Sequence, residues 1–333
     1  MLRRLIVLVV VLAALAAGGG WALWRGMHEP YRGFTDPEVF VDFPQGARTA
    51  DIAASLAGAG VVSDALTFRL AVRFAKADRT LKAGEYRFIE AATQEEIISR
   101  LIRGDTFTRA LTFPEGLTIR EMSGIFEKSG MGAADDFVHA ANTASLVSDI
   151  DPDAGNLEGY LFPSTYSLPR RAGADGVIRA MVKEFRKALG SAPLPAGMTP
   201  RELVTLASIV EKETAQPAER ATVAGVYTNR LRIHMALQCD PTVIYAMMLR
   251  EKWDGNIRKA DLSLDSPYNT YRYPGLPPGP IASPGKASLE AARHPASVPY
   301  LYFVSRNDGT HVFSTTLAEH NKNVHTFQQI RRK

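Results

Sequence analysis

The first strong signal along the chain is an apolar run, Leu5 to Trp24, that carries no charge. Such a run is long enough to cross a bilayer, which takes about 20 helical residues. Arg3 and Arg4 precede it, and Trp21 and Trp24 close it. The pattern therefore predicts a transmembrane anchor over residues 5–24, a cytoplasmic tip at 1–4 and the rest of the chain outside. The competing reading is a cleaved signal peptide, whose apolar core is shorter, about 7–15 residues. The small residues of Ala13–Gly20 leave that reading open. Residues 25–37 mix Gly, Pro and charge as a linker does.

Val39–Phe43 alternates as a strand, and Gln45-Gly46 marks a turn. Thr49 is placed to cap a helix in which Ile52, Leu56 and Ala59 keep helical spacing. A second helix is expected with Phe68, Leu70, Ala71 and Phe74 available for its buried side, and Leu81–Phe88 then reads as a turn into a strand. Thr93 to Arg103 reads as a helix, with Ile97, Ile98 and Leu101 inward. Ala110–Phe113 reads as a strand that runs through Pro114-Glu115-Gly116 into a helix capped by Thr118. The earlier Phe43-Pro44-Gln45-Gly46 has the same shape, but two copies do not make a repeat array. Further on come a helix from about Gly176 to Leu189, another from Thr199, and a loop dense in Pro, Gly and Tyr over Asp265–Lys286. Tyr300–Val304 and His311–Ser314 form a strand pair around the turn signal Asn307-Asp308-Gly309-Thr310. The whole predicts an α+β chain with a small subdomain over 38–110 and a larger mixed α/β domain over 111–333.

Composition narrows the function more than the fold. Hydrophobic residues make up 46% and charged ones 22%, ordinary for a globular protein. The net charge of +4, without a basic run, gives no footprint for nucleic acid. One cysteine, Cys239, cannot form a disulfide within its own chain. The seven histidines lack Asp or Glu at ligand spacing, so neither a metal nor a cofactor is expected. A serine nucleophile elbow, a P-loop and a dinucleotide glycine motif are absent from the sequence.

The most informative stretch begins at Thr199-Pro200-Arg201-Glu202, a helix start with a cap, a first-turn proline and a Glu at the third position. The helix that follows is unusually apolar, and Leu203, Leu206, Val210 and Glu213 share one stripe. A carboxyl at the end of a buried stripe is desolvated, which favours its protonated form. The negative end of the helix dipole acts in the same direction. A carboxyl protonated near neutral pH is what a general acid for a glycosidic oxygen requires. From pattern alone, Glu211-Lys212-Glu213 reads more plainly as two solvated glutamates flanking a lysine.

The wider context changes that reading. Ala207–Thr214, Ala224–Leu231 and Leu237–Tyr245, followed by Tyr268-Asn269-Thr270-Tyr271, Gly275–Ile281 and Ser283-Pro284-Gly285, closely resemble the endolytic murein transglycosylases, the MltG or YceG-like family. Leu157–Pro163 and Tyr300–Val304 resemble further motifs of that family. The resemblance implies a lyase of the bacterial inner membrane, with its catalytic part in the periplasm and a LysM-like N-terminal subdomain. It also implies action on peptidoglycan glycan strands between N-acetylmuramic acid and N-acetylglucosamine, leaving a 1,6-anhydro end, near peptidoglycan synthases. Other lytic transglycosylases place Glu-Ser at the end of a comparable helix, and Glu213-Thr214 resembles that pair. Glu213 is therefore the expected acid/base, with Glu211 as the alternative. Candidate substrate-binding residues are Glu158, Tyr160, Asn229, Gln238, Tyr268, Asn269, Thr270 and Tyr271. Asn229 and Arg230 also admit a structural role, and Asp240 reads as a helix cap. The family pattern carries a hydroxyl residue where this chain has Cys239. Two other readings stay open: a water-using muramidase, with Glu158 as second carboxylate, and a non-catalytic glycan-binding scaffold.

Overall fold

The computed structural model describes residues 2–169 and 171–329. The side chains of residues 2–9, 11, 15, 16, 22, 23 and 329 lie outside that description, and with them half of the expected span 5–24. Helix α1 runs over Leu2–His28. Among the described residues no helix is long and apolar enough to cross a membrane. The chain forms two compact units, Met1–Arg109 and Ala110–Lys333.

In the first unit, α1 is followed by β1 (Val39–Phe43), α2 (Thr49–Gly58), α3 (Ala65–Phe74), β2 (Gly84–Phe88) and α4 (Gln94–Arg103). β1 and β2 pair antiparallel, with Val41 opposite Tyr86 and Val39 opposite Phe88. Their inner faces bury Val41, Phe43, Tyr86 and Phe88 against Leu56, Phe68, Val72, Ile97 and Leu101. Tyr86 satisfies its buried hydroxyl by donating to the Lys82 carbonyl at 2.8 Å. α4 starts at the Thr93/Glu96 capping box and stops at Gly104 in the left-handed conformation.

Two local expectations need correction. Thr49 is the first helical residue of α2, and Arg48 holds the cap position without a side-chain cap bond. Phe74 is not buried: it is 74% exposed. Phe68, Ala71 and Val72 set the inward face of α3 at three- and four-residue spacing, and this turns Leu66, Leu70 and Phe74 to its flank.

The second unit contains β3 (Arg109–Thr112), α5 (Ile119–Lys128), α6 (Ala134–Ala141), β4 (Thr165–Leu168), α7 (Gly173–Leu189), α8 (Pro200–Glu213), α9 (Arg220–Arg232), α10 (Asp240–Leu249), α11 (Lys286–Arg293), β5 (Tyr302–Ser305), β6 (His311–Ser314) and α12 (Leu317–Val324). Its centre is α8, which packs against α9, α10 and α11. Gly225 on α9 permits close approach, because a side chain there would collide with the Ala296 carbonyl. The sequence pattern did not announce β4; the strand forms because β3 offers it a ladder, extended by the Phe113 amide donating to Ser164 at 3.0 Å. Helix α11, rich in Ala, Leu, Lys and Arg, ends the long loop at Gly285. β5 and β6 pair antiparallel, with Phe303 opposite Phe313. The fold is thus a mixed α/β assembly whose small sheets have two strands each.

Candidate active site

The α8 helix begins where its sequence requires. Thr199 and Glu202 complete a capping box, and Pro200 occupies the first turn. Every residue from Leu203 to Val210 is buried, so the helix runs through the core and emerges only at its last turn. That turn carries Glu211, Lys212 and Glu213, and Thr214 closes it.

Glu213 reaches a cleft of about 370 Å³. Tyr227, Arg230, Leu237, Gln238, Asp240, Tyr271, Tyr302, Phe303, Leu317, His320 and Asn321 complete its lining. The Tyr227 hydroxyl donates to Glu213 Oε1 at 2.7 Å, and the Tyr227 ring meets Phe303 edge to face. The Cys239 thiol is a second side-chain donor to Glu213. Burial raises the Glu213 pKa; the Cys239 and Tyr227 hydrogen bonds oppose the rise, and the nearby Asp240 charge adds to it. Glu213 is therefore held by neutral donors and takes part in no ion pair among those described.

Glu211, two residues away, has a different environment. Its side chain is only 6% exposed and pairs with the buried Arg220 at 3.2 Å. Its second oxygen accepts from the Gly285 amide at 2.9 Å. Arg220 also faces Glu115 at 3.8 Å, and Lys212 donates to the Gly116 carbonyl at 3.0 Å. Burial and Glu211 raise the Glu115 pKa, while Arg220 opposes them. Glu211 thus ties α8 to the 114–116 turn and to the end of the long loop, and it does not line the cleft.

The comparisons with known proteins complete the site's setting. A family model described as the YceG-like family matches residues 41–326. The chain belongs to the YceG-like family. It is 32% identical over 324 residues to a protein of Bacillus subtilis named endolytic murein transglycosylase, covering 92% of this chain and 89% of that one. It is also 32% identical to a protein of the same name from Streptococcus pneumoniae, covering 86% of this chain but 58% of that one, so it spans little more than half of the pneumococcal relative. A crystal structure of a YceG-like protein from Listeria monocytogenes superposes with a TM-score of 0.57 at 32% identity, over 86% of this chain and 99% of that one.

Within this YceG-like chain, Glu213, Gln238 and Tyr271 are the nominated residues that line the cleft. Tyr271 donates to Asp240 Oδ1 at 2.6 Å. The others hold the structure together. Asn229 donates to the Val298 and Tyr300 carbonyls at 2.7 and 3.0 Å, and Asn269 to those of Leu262 and Leu264 at 3.0 and 2.7 Å. Thr270 accepts from the Cys239 amide at 3.0 Å, and the Tyr268 ring tilts against Tyr245. Tyr160 is buried with its hydroxyl on Asp151 at 2.6 Å.

Glu158 does not line the cleft either. It caps the start of α5 by accepting from the Ile119 amide at 3.2 Å, and Tyr245 donates to it at 3.3 Å. Burial raises its pKa to about 8 despite these donors. Asp240 begins α10 as its first residue while Cys239 takes the cap position, so its carboxylate faces the cleft rather than capping the helix.

Tyr227, His320 and Asn321 also line the cleft and were not among the candidates. Tyr227 lies inside the stretch 224–231 but gives no signal of its own. His320 and Asn321 come from α12, about a hundred residues beyond Glu213, and no local pattern connects them. Arg230 donates to the Leu301 and Leu237 carbonyls at 2.7 and 2.6 Å, joining α9 to the approach of β5 rather than pairing with Glu213 or Glu219. Among the described residues no group of three or more His, Cys, Asp or Glu could hold a metal ion.

Proposed function

We propose that this YceG-like chain is an endolytic murein transglycosylase, a lyase that cuts peptidoglycan strands internally and leaves a 1,6-anhydro-N-acetylmuramic acid end. Its relatives of that name support the activity. The observation that carries the mechanism is Glu213: a desolvated carboxyl at a cleft, held only by the neutral donors Tyr227 and Cys239.

Burial favours the protonated form of Glu213. It then gives its proton to the glycosidic oxygen between N-acetylmuramic acid and N-acetylglucosamine, and that C–O bond breaks. Tyr227 and Cys239 stabilise the carboxylate left behind, so the acid is not too weak to release its proton. The muramyl 6-hydroxyl attacks its own C1 and passes its proton to the Glu213 carboxylate, which restores the acid. An attack within one sugar needs no ordered water.

One observation favours a second reading. Asp240 lines the same cleft, so a two-carboxylate hydrolysis has a partner there. Its engagement by Tyr271 argues against a nucleophile free to approach the sugar. Digestion of uncrosslinked strands in heavy-oxygen water separates the two. Anhydro ends without heavy oxygen are expected; heavy oxygen at new reducing ends would establish a muramidase.

The apolar N-terminal run, with Arg3 and Arg4 before it, supports a single-pass anchor in the inner membrane and a periplasmic site. Anchoring would keep the cleft beside nascent strands and the synthases that make them. The order β1, α2, α3, β2 within the unit Met1–Arg109 supports a LysM-like role on the same glycan.

A further inference from the structure

Hydrogen-bonding capacity separates the residues around this cleft. Asn229, Asn269 and Thr270 direct theirs into the protein. The polar side chains that α12 contributes do not. The Asn321 amide is exposed on the cleft wall and has no intramolecular partner among the described residues. His320 lies beside it, its ring stacked on Tyr302 at 5.2 Å and 24°. Arg230 covers Tyr302 at 5.3 Å, so the Tyr302 ring is fixed from two sides. Leu317, at the start of the same helix, is 54% exposed and also lines the cleft.

His320 carries a further mark. Its Nδ1 is sealed from water and has no hydrogen-bond partner among the described residues. An unpaired acceptor is tolerated inside proteins better than an unpaired N–H. The ring proton therefore belongs on Nε2, which leaves that atom as the donor. Burial, and then the Arg230 charge, lower the His320 pKa and keep the ring neutral. α12 thus presents to the cleft an amide, a neutral ring donor and an exposed methyl-bearing side chain. An acetamido sugar offers the complementary set: a carbonyl acceptor, an N–H, a methyl group and ring hydroxyls.

We propose that α12 forms a sugar subsite of the cleft, in which Asn321 pairs with the acetamido group, Leu317 covers its methyl and the His320 Nε2–H donates to a ring oxygen. This rests on the reading of the cleft as the transglycosylase site. It assigns substrate recognition to a C-terminal helix that carries none of the nominated residues.

The test uses the full chain in detergent and uncrosslinked glycan strands, with KM, kcat and strand affinity measured together. His320→Phe keeps the ring on Tyr302 and removes the nitrogen; Asn321→Leu keeps size and removes the amide. Each should raise KM and Kd about tenfold while kcat stays within about threefold, the effect of one lost hydrogen bond to substrate. Thermal midpoints should match the native chain, because both groups lack protein partners. Strands stripped of their N-acetyl groups should bind the native chain more weakly, and Asn321→Leu should then add no further loss. KM and Kd unchanged in both variants would overturn the subsite, and additive losses on stripped strands would overturn the acetamido pairing. A Glu213→Gln chain that still cuts strands would instead refute the assigned acid, independently of these affinities.

Discussion

Two glutamates two residues apart on one helix show how far environment decides chemistry. Glu211 faces Arg220 and the Gly285 amide, a setting that fixes its side chain in place. Glu213 faces a hydroxyl and a thiol, a setting in which a proton can come and go. Tyr227→Phe tests that contrast. It removes a donor that holds the Glu213 pKa down, so the alkaline limb of kcat/KM should move to higher pH. kcat should fall by about tenfold as the carboxylate loses a hydrogen bond. A pH profile identical to the native one would show that Tyr227 does not act through the acid. Glu213 stands out in the sequence as a candidate, because the apolar stripe ends there. Tyr227 does not, since one tyrosine in a helix looks the same whether it supports a core or an acid. Polar residues in a Pro- and Gly-rich loop suggest a binding surface, but Asn269 donates to the Leu262 and Leu264 carbonyls and Thr270 accepts from the Cys239 amide, because backbone outside regular ladders takes such side chains as partners.

At the scale of elements, α8 is the axis on which the site depends. Its last turn is tied to the 114–116 turn by Lys212 and Arg220 and to the long loop by Glu211. Arg220 is the shared cation of that joint, and removing it leaves Glu211 buried without a counter-charge. Arg220→Met should cost about 3 kcal/mol of stability in urea unfolding. The double variant Arg220→Met/Glu211→Gln should recover much of that loss, because no orphaned charge remains. Equal stability of Arg220→Met and the native chain would show that the joint contributes nothing. Long periodic elements such as α4, α7 and α8 were legible because apolar spacing agrees with the fold, reinforced in α4 and α8 by capping boxes. β4 and α12 were not, since a four-residue strand and an eight-residue helix owe their place to distant partners.

For the molecule as a whole, the buried Glu158 makes stability depend on pH. Its folded pKa, raised to about 8 from the usual 4.5, means that the folded state holds its proton more tightly than the unfolded state. The stability this gives is complete below about 4.5 and is lost as pH rises through about 8. The native thermal midpoint should therefore fall across that window, and Glu158→Gln should flatten the fall. Parallel curves for the two chains would contradict the assignment. Glu158 is buried while Glu213 is half-buried, and of the two only Glu213 meets the cleft. Desolvation follows from tertiary packing, and the sequence shows only which residues could supply it.

Mass spectrometry of uncrosslinked glycan strands digested by the native chain, Glu213→Gln and Glu211→Gln decides which carboxyl carries the proton. Anhydro-ended fragments from the native chain and from whatever fraction of Glu211→Gln remains folded, with none from a folded Glu213→Gln, are the expected result. Anhydro fragments from Glu213→Gln at the native rate would contradict the account and remove Glu213 from the chemistry.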